Sequence, residues 1–198
     1  MSNNIEFIAE QFKDHIVSEH EQHGSDIELL VWQKPNTFIY KVTYLCHKNV
    51  LFISGDIGEA VFKWSYPIGL KAISECNIDY FMEKCEASEG GRYWREWDYS
   101  VALKCIVDHF RNSDKKGRAN LFHEFRNSFG FTCLNSREEW VNLGDNREEF
   151  FGRDAWEWIY GIGDVYPLRA QAWLTGLKMA FEQIGINNAP QNQNPIQI

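Results

Sequence analysis

The residues whose types could do chemistry are most concentrated in the stretch Ser54-Gly55-Asp56-Ile57-Gly58-Glu59. Its glycines bracket a carboxylate, and glycine permits positive φ angles and the close approach of another backbone. The stretch could therefore cradle a small ligand, and its candidate site residues are Ser54, Gly55, Asp56, Gly58 and Glu59. It lacks the glycine pattern of a dinucleotide site and the lysine of a P-loop. A tight hairpin turn between two strands explains the same residues and is the favoured interpretation.

The two acids of this stretch, Asp56 and Glu59, could form a carboxylate pair for acid–base catalysis. Such a pair needs a pocket that separates the two pKa values, and no pattern in the sequence indicates one. Solvated surface acids are the simpler interpretation. We therefore assign no catalytic residue, although an enzyme or ligand-binding protein with a pocket at this turn stays the alternative hypothesis.

Six histidines and five cysteines supply possible metal ligands and nucleophiles. His20 and His23 would lie one turn apart on a helix, but neither belongs to a zinc-binding motif, and the cysteines do not pair with histidines at ligand spacings. The odd number of cysteines, with no C-x-x-C pair, is typical of reduced thiols. We expect no metal and no cofactor.

A second candidate site follows Gly90-Gly91 and combines aromatic rings with arginine. Its candidate partner-binding residues are Arg92, Tyr93, Trp94, Arg95 and Trp97. Tyr, Trp and Arg are the residue types that dominate protein–protein hot spots. The alternative is that Trp94 and Trp97 pack into the core at the start of a helix.

The segment from Arg137 to Glu157 is rich in acids and adds a third group of candidates: Glu148, Glu149, Asp154, Trp156 and Glu157. Trp156 and Trp158 are two residues apart and cannot share one face of a helix, so one of them should be partly exposed. An acidic, aromatic surface of this kind could dock onto a basic protein. A solvated charged face explains the acids equally well.

The elements that must position these residues begin with a helix. Apolar residues recur at three- and four-residue steps from Ile5 to Ile16, which predicts an amphipathic helix from Asn4 to about His23, ending at Gly24. Three β-like segments follow, Ile27–Gln33, Phe38–Cys46 and Val50–Ser54, and Glu59–Trp64 could be a fourth. Short connections between them predict an antiparallel meander.

The remainder of the chain has helical periodicity. The segments predicted to be helical are a short helix from Ile78 that ends before Gly90-Gly91, then Trp97–Arg111, the surroundings of Leu121–Phe125, Ser136–Leu143, Arg147–Tyr160 and Leu168–Ile184. Ser136 and Glu139 have the spacing of a capping box. We therefore predict an α+β fold with an N-terminal helix, a three- to four-stranded antiparallel sheet and a mostly helical C-terminal half.

Length and composition favour one domain. The chain has 198 residues, of which 44% are hydrophobic, enough for one well-buried core. No internal linker is apparent, so we predict a single domain over residues 1–185. Residues 186–198 are polar and carry proline, which predicts a disordered tail.

The charge of the chain constrains its partners. A formal net charge of −8 opposes direct binding to the phosphates of nucleic acid, and it suits steering toward basic protein surfaces. The first residues alternate apolar and charged groups, unlike a signal peptide, and no apolar run is long enough for a membrane span. We expect a protein partner, no membrane association and a cytoplasmic location.

Two stretches, Phe52–Trp64 and Tyr80–Ser88, resemble uncharacterised small acidic proteins encoded by bacteriophages and prophages. The resemblance implies a phage accessory protein in the cytoplasm of the host cell. Proteins of this kind often inhibit host defence by direct binding, anti-CRISPR proteins among them. The resemblance transfers no activity to individual residues.

The leading hypothesis is therefore a binding protein without catalysis, which docks an acidic and aromatic surface onto a host or phage protein and blocks it. A virion or assembly component is a further possibility, because composition does not separate it from an inhibitor. Exposed aromatic residues also make a homodimer an expectation.

Overall fold

A computed structural model describes residues 2–89, 95–111, 118–143, 150–152 and 159–187. The chain divides into two compact units, one formed by Met1–Trp94 with Leu168–Ile198 and the other by Arg95–Pro167. Folding as a single domain stays a prediction. Of the predicted disordered tail, residues 188–198 lie outside the described residues, whereas Ile186 and Asn187 complete the last helix.

Helices and strands confirm the α+β class. The described α-helices are α1 (Ser2–Phe12), α2 (Leu70–Ser74), α3 (Ile78–Glu83), α4 (Tyr99–Arg111), α5 (Arg118–Phe129), α6 (Arg137–Val141) and α7 (Leu168–Asn187). The strands are β1 (Ile16–His23), β2 (Ile27–Gln33), β3 (Val42–His47), β4 (Val50–Gly55), β5 (Ala60–Lys63), β6 (Cys85–Ser88), β7 (Glu96–Trp97) and β8 (Asp164–Val165). Among the described residues, none of the helices combines the length and the apolarity that crossing a bilayer requires.

The first unit contains a six-stranded antiparallel sheet whose strands follow one another in sequence order, β1 to β6. The prediction of three to four strands was too low, because β1 and β6 were assigned to helices. The predicted helix was to continue to just before Gly90, but it ends at Glu83, and Cys85–Ser88 forms strand β6, which pairs with β5. Glu59–Trp64 does contain a strand, β5.

Strand β1 replaces the second half of the predicted first helix. The helix ends at Phe12, and its apolar stripe is shorter than predicted, because Ile8 and Phe12 are buried whereas Ile5 and Ile16 are exposed. From Ile16 onward the chain pairs with β2 through a turn in which Gly24 has a φ of 65°. Backbone pairing with a neighbouring strand therefore outweighs a helical pattern that buries little.

The inner face of the sheet packs against α7. Alternate strand side chains point inward, and those in the core include Leu30, Trp32, Tyr44, Leu51, Ile53 and Phe62. From α7, Trp173 and Leu177 are fully buried. The hydroxyl of Tyr44 donates a hydrogen bond of 2.7 Å to the carbonyl oxygen of Trp173. This buried contact fixes the height of the helix above the sheet.

The second unit has a core of its own, built largely from aromatic rings. Its buried residues include Ile106, Phe110, Phe125, Leu134, Trp140, Phe150, Phe151 and Ile159.

Side-chain hydrogen bonds cap the N-termini of two helices in this unit. The Asp98 carboxylate accepts hydrogen bonds from the Ser100 hydroxyl and from the backbone N–H groups of Ser100 and Val101, which lowers the pKa of Asp98. At α6, the Ser136 hydroxyl accepts from the Glu139 N–H at 3.1 Å, in line with the predicted capping box.

We predict that Gly176→Ala destabilises the protein, although alanine normally favours a helix over glycine by about 1 kcal/mol. A Cβ at Gly176 would lie 2.9 Å from the Tyr44 hydroxyl and 3.1 Å from the Phe12 ring. The hydroxyl is held by its hydrogen bond, so relief requires moving packed groups, which typically costs about 1–3 kcal/mol. We expect a net loss of about 1–2 kcal/mol in the free energy of unfolding, measured by urea denaturation.

Gly185→Ala is the matched control, because a Cβ at this position of the same helix meets no atom within 4 Å. It should leave stability unchanged or raise it slightly. Equal stabilisation by both alanines would contradict the close approach of α7 to the sheet.

Candidate functional site

The stretch that the sequence singled out, Ser54 to Glu59, comprises the last two residues of β4 and the turn that leads to β5. Gly55 has a φ of 141° and Gly58 a φ of 104°, both in a region that favours glycine. A Cβ at Gly55 would lie 2.1 Å from the carbonyl oxygen of Lys41, so the turn passes directly against the segment that precedes β3. Glycine is therefore required at position 55 for contact between two loops.

Asp56 joins this turn to the β2–β3 connection by two hydrogen bonds. Its backbone N–H donates to the Lys41 carbonyl oxygen at 2.9 Å, and its carboxylate accepts from the Tyr40 N–H at 2.8 Å. The carboxylate is exposed and committed to a backbone partner. Within the described part of the chain, Glu59 has no hydrogen bond or ion pair, so the structure gives the proposed carboxylate pair no common partner.

Gly58 lies beside an ion pair that closes the other side of the turn. The guanidinium of Arg169, at the start of α7, contacts the carboxylate of Glu89, which follows β6. A Cβ at Gly58 would approach both side chains to 3.2–3.3 Å. The turn is thus surrounded by structural contacts on both sides.

The segment held by Asp56 is the connection of residues 34–41, which we call the aromatic loop. Sequence analysis placed Phe38 to Cys46 in one strand, but β3 begins only at Val42, so Phe38, Ile39 and Tyr40 belong to the loop. The Thr37 hydroxyl accepts from the Ile39 N–H at 3.0 Å, and the Lys41 N–H donates to the Phe38 carbonyl oxygen at 3.1 Å. The loop therefore has a defined backbone conformation.

Two residues of the aromatic loop adopt left-handed backbone angles, Asn36 with a φ of 61° and Tyr40 with a φ of 56°. Asparagine tolerates this region, whereas a tyrosine there is uncommon. Such a conformation costs about 1–3 kcal/mol and persists only where neighbouring contacts hold it. The hydrogen bond from the Tyr40 N–H to Asp56 is one of those contacts.

The aromatic loop exposes consecutive large apolar side chains. Phe38 is 78% exposed, Ile39 61% and Tyr40 38%. The Lys41 ammonium lies 5.7 Å from the centre of the Phe38 ring, at the outer limit of a cation–π contact. A held loop with an exposed aromatic tip can insert into an apolar pocket of another molecule.

His15 connects the loop to the core of the first unit. Its buried ring lies between Phe12 and Trp32, at centroid distances of 4.8 and 5.8 Å. Burial lowers the pKa of His15, and the backbone of Tyr40 and Ile39 partly opposes this shift. Changes at this ring can therefore reach the aromatic loop.

The candidates around Gly90-Gly91 have different surroundings in the structure. Trp97 is partly buried against the core of the second unit, and its indole N–H donates to the Leu134 carbonyl oxygen at 2.7 Å. The Arg95 guanidinium stacks 3.3 Å from the centre of the Tyr166 ring. Both contacts favour the packing interpretation. The other candidates lie outside the described residues: Arg92, Tyr93, Trp94, Glu148, Glu149, Asp154, Trp156 and Glu157.

The histidine and cysteine candidates have structural partners. His20 and His23 lie on opposite faces of β1 rather than on a helix, and each contacts a glutamate, Glu28 at 3.0 Å and Glu21 at 2.9 Å. Burial raises the pKa values of the Cys46 and Cys133 thiols to about 11, which keeps both protonated at neutral pH. Among the residues that the structure describes, no group of His, Cys, Asp and Glu is arranged to hold a metal ion.

A surface depression of about 300 Å³ lies at the opposite end of β2 and β3 from the Ser54 to Glu59 turn. Its lining includes Asp26, Glu28, Cys46 and Lys48. Glu28 is already engaged, because its carboxylate accepts from the Leu70 N–H at 2.8 Å and contacts His20. The depression therefore does not join the candidate ligand residues of the turn.

The aromatic loop was not predicted from the sequence, because Phe, Ile and Tyr are typical strand residues. The available signal was the pair Pro35-Asn36, which favours turns and lies one residue before Phe38. In comparisons with known proteins, the chain matches no protein-family model, no curated protein and no solved structure.

We predict that Asp56→Ala releases the aromatic loop, because it removes the acceptor of the Tyr40 N–H. The free energy of unfolding should fall by about 1 kcal/mol, and exchange of the Tyr40 amide hydrogen should accelerate at least tenfold. Amide exchange followed by NMR measures both quantities. Asp56→Asn keeps a carbonyl acceptor and should have a smaller effect.

Glu59→Ala is the control for this experiment, since it removes an exposed carboxylate from the same turn. Its effect should stay within about 0.5 kcal/mol. Unchanged exchange at Tyr40 in Asp56→Ala would show that the carboxylate does not hold the loop.

We also predict that His15 makes stability depend on pH. The folded-state pKa of His15 lies below the ordinary value of 6.5, so the unfolded chain takes up a proton first as the pH falls. The free energy of unfolding should therefore decrease below about pH 6.5, and His15→Phe should weaken this decrease. Urea denaturation between pH 5 and 8 measures the difference.

Proposed function

We propose that this protein acts by binding another protein through the aromatic loop, without catalysing a reaction. The observation that carries the proposal is the exposure of Phe38 and Ile39, 78% and 61%, on a loop with fixed backbone contacts. Single exposed apolar residues are ordinary on protein surfaces, but neighbouring ones at a loop tip are typical of contact sites. Phenylalanine gains most from burial in a partner's pocket.

The contacts around Tyr40 support binding rather than simple exposure. Ordering a flexible loop during association costs free energy, because its backbone conformational entropy is lost. Asp56 and the Thr37 hydroxyl already restrict the aromatic loop in the free protein. A loop restricted in this way loses less entropy on binding, so more of the apolar contact energy becomes affinity.

Charge and apolar contact have separate roles in this proposal. The net charge of −8 acts over distance and favours encounters with basic proteins. The aromatic loop itself has an apolar tip beside Lys41, so its contacts depend on shape and burial. A partner with a basic surface around an apolar pocket suits both properties.

The finer proposal concerns the identity of the partner. The resemblance of Phe52–Trp64 and Tyr80–Ser88 to phage and prophage proteins supports a role as a phage accessory protein in the host cytoplasm. In that role the partner would be a component of a bacterial defence system, of the CRISPR type or another, and binding would inhibit it.

The proposal predicts that Phe38→Ser abolishes binding. Tagged wild-type protein should retain a specific protein from a bacterial host lysate, and the variant should bind the purified partner at least tenfold more weakly, as expected for a hot-spot aromatic. Calorimetry with the purified pair measures the affinity. Binding should also inhibit the activity of the partner at stoichiometric concentration.

Ile186→Ser is the matched control, because Ile186 is 74% exposed on α7 and lies outside the aromatic loop. It should bind like the wild type. Equal affinity of Phe38→Ser and Ile186→Ser, or turnover of a substrate by the wild-type protein, would overturn the proposal.

A further inference from the structure

The outer face of the sheet, opposite the side that packs against α7, carries an apolar row across four neighbouring strands. The backbone register places Leu29, Leu45, Phe52 and Val61 side by side on β2, β3, β4 and β5. Their neighbours along each strand, such as Tyr44 and Ile53, point to the inner face and are buried. The row is therefore a separate feature from the core.

The centre of this row is open to solvent. Leu45 and Phe52 are direct cross-strand partners and are 37% and 42% exposed, and Ile27 is exposed in the next row. Apolar side chains that are adjacent on a sheet face form a continuous patch, whereas scattered ones do not. Such a patch is typical of a surface that another molecule covers.

The size of the outer face fits a second sheet of the same kind. Five strands about 4.8 Å apart, with about six residues each at roughly 3.3 Å per residue, project to about 450 Å². Two such faces, with the relief of their side chains, reach the total of about 1,000 Å² that a specific interface requires. Two sheets packed face to face lie about 10 Å apart with their strands nearly aligned.

The charges on the two sides of the row have opposite signs. Glu19 and Glu21 lie on the edge strand β1, and Lys63 lies on β5, the strand next to the other edge strand β6, all on the outer face by register. A twofold axis parallel to the strands that places β1 of one copy over β5 of the other passes over β3. Glu21 of each copy then lies over the strand that carries Lys63 of the other copy, the Leu45 side chains meet at the axis, and Phe52 of each copy faces Leu29 of the other.

We propose that the outer face of the sheet is a homodimer interface, in which the apolar row of one copy packs against the same row of a second copy. The charge pattern identifies the occupant, because a face with acids on β1 and a lysine on β5 fits its own copy in only one of the two aligned orientations. The interface is formed by strand residues outside the aromatic loop.

Sedimentation velocity of the full chain tests the proposal. We expect the wild type to be a dimer at about 100 µM and Phe52→Glu to be a monomer, because a charge buried at the centre cannot be compensated. Circular dichroism and thermal unfolding verify that the variant folds. A monomeric wild type at this concentration, or a Phe52→Glu variant that still dimerises, would overturn the proposal.

Charge reversal tests the orientation without touching the apolar row. Lys63→Glu and Glu21→Lys should each weaken dimerisation about tenfold, since each contact occurs twice. The double variant restores both contacts with opposite signs and should dimerise within about threefold of the wild type. Glu21 also contacts the exposed His23. This contact is lost in Glu21→Lys and in the double variant, and it is kept in Lys63→Glu. A double variant that is weaker than either single variant would rule out this arrangement.

Phe38→Ser separates this interface from the proposed partner site. It should leave the monomer–dimer equilibrium unchanged while it abolishes binding of the partner. Loss of the dimer in Phe38→Ser would contradict an interface on the outer face, whereas an intact dimer that binds no partner protein would contradict only the proposed function.

Discussion

The close approach of α7 to the inner face of the sheet is the constraint on which the first unit depends. It requires a residue without a side chain at Gly176, where the Tyr44 hydroxyl and the Phe12 and Trp32 rings occupy the space that a Cβ would need. The hydrogen bond from Tyr44 to the Trp173 carbonyl oxygen then fixes the helix at this height. The helix covers only one face of the sheet. Because successive side chains along a strand point to opposite faces, the apolar side chains of the other face lie outside the core.

The same ring cluster extends to the candidate site. Phe12 and Trp32 contact Gly176 on one side and enclose His15 on the other. His15 lies against the backbone of Ile39 and Tyr40, at the base of the aromatic loop. This cluster of three rings therefore lies between α7 and the base of the aromatic loop.

Features that depend on neighbours in sequence could be predicted, and those that depend on distant pairing could not. The Ser136 cap needs only the next three residues, and its spacing was sufficient to place it. The segment Ile16–His23 was predicted to continue the first helix but pairs with β2, and this pairing depends on the position of a strand that comes later in the chain. Asp56 was identified as a residue of interest, yet its partner, the Tyr40 N–H, lies sixteen residues away. No spacing rule predicts that contact.

The strained Tyr40 explains why the turn from Ser54 to Glu59 is engaged with the aromatic loop. Its left-handed conformation costs about 1–3 kcal/mol of stability, and a hydrogen bond to a carboxylate stabilises the folded state by a similar amount. The two quantities nearly cancel, so the loop keeps its shape only while Asp56 and the glycine before it bring the turn into contact with Lys41. The glycines and the acid thus determine the geometry of the neighbouring loop, on which the proposed partner binding depends.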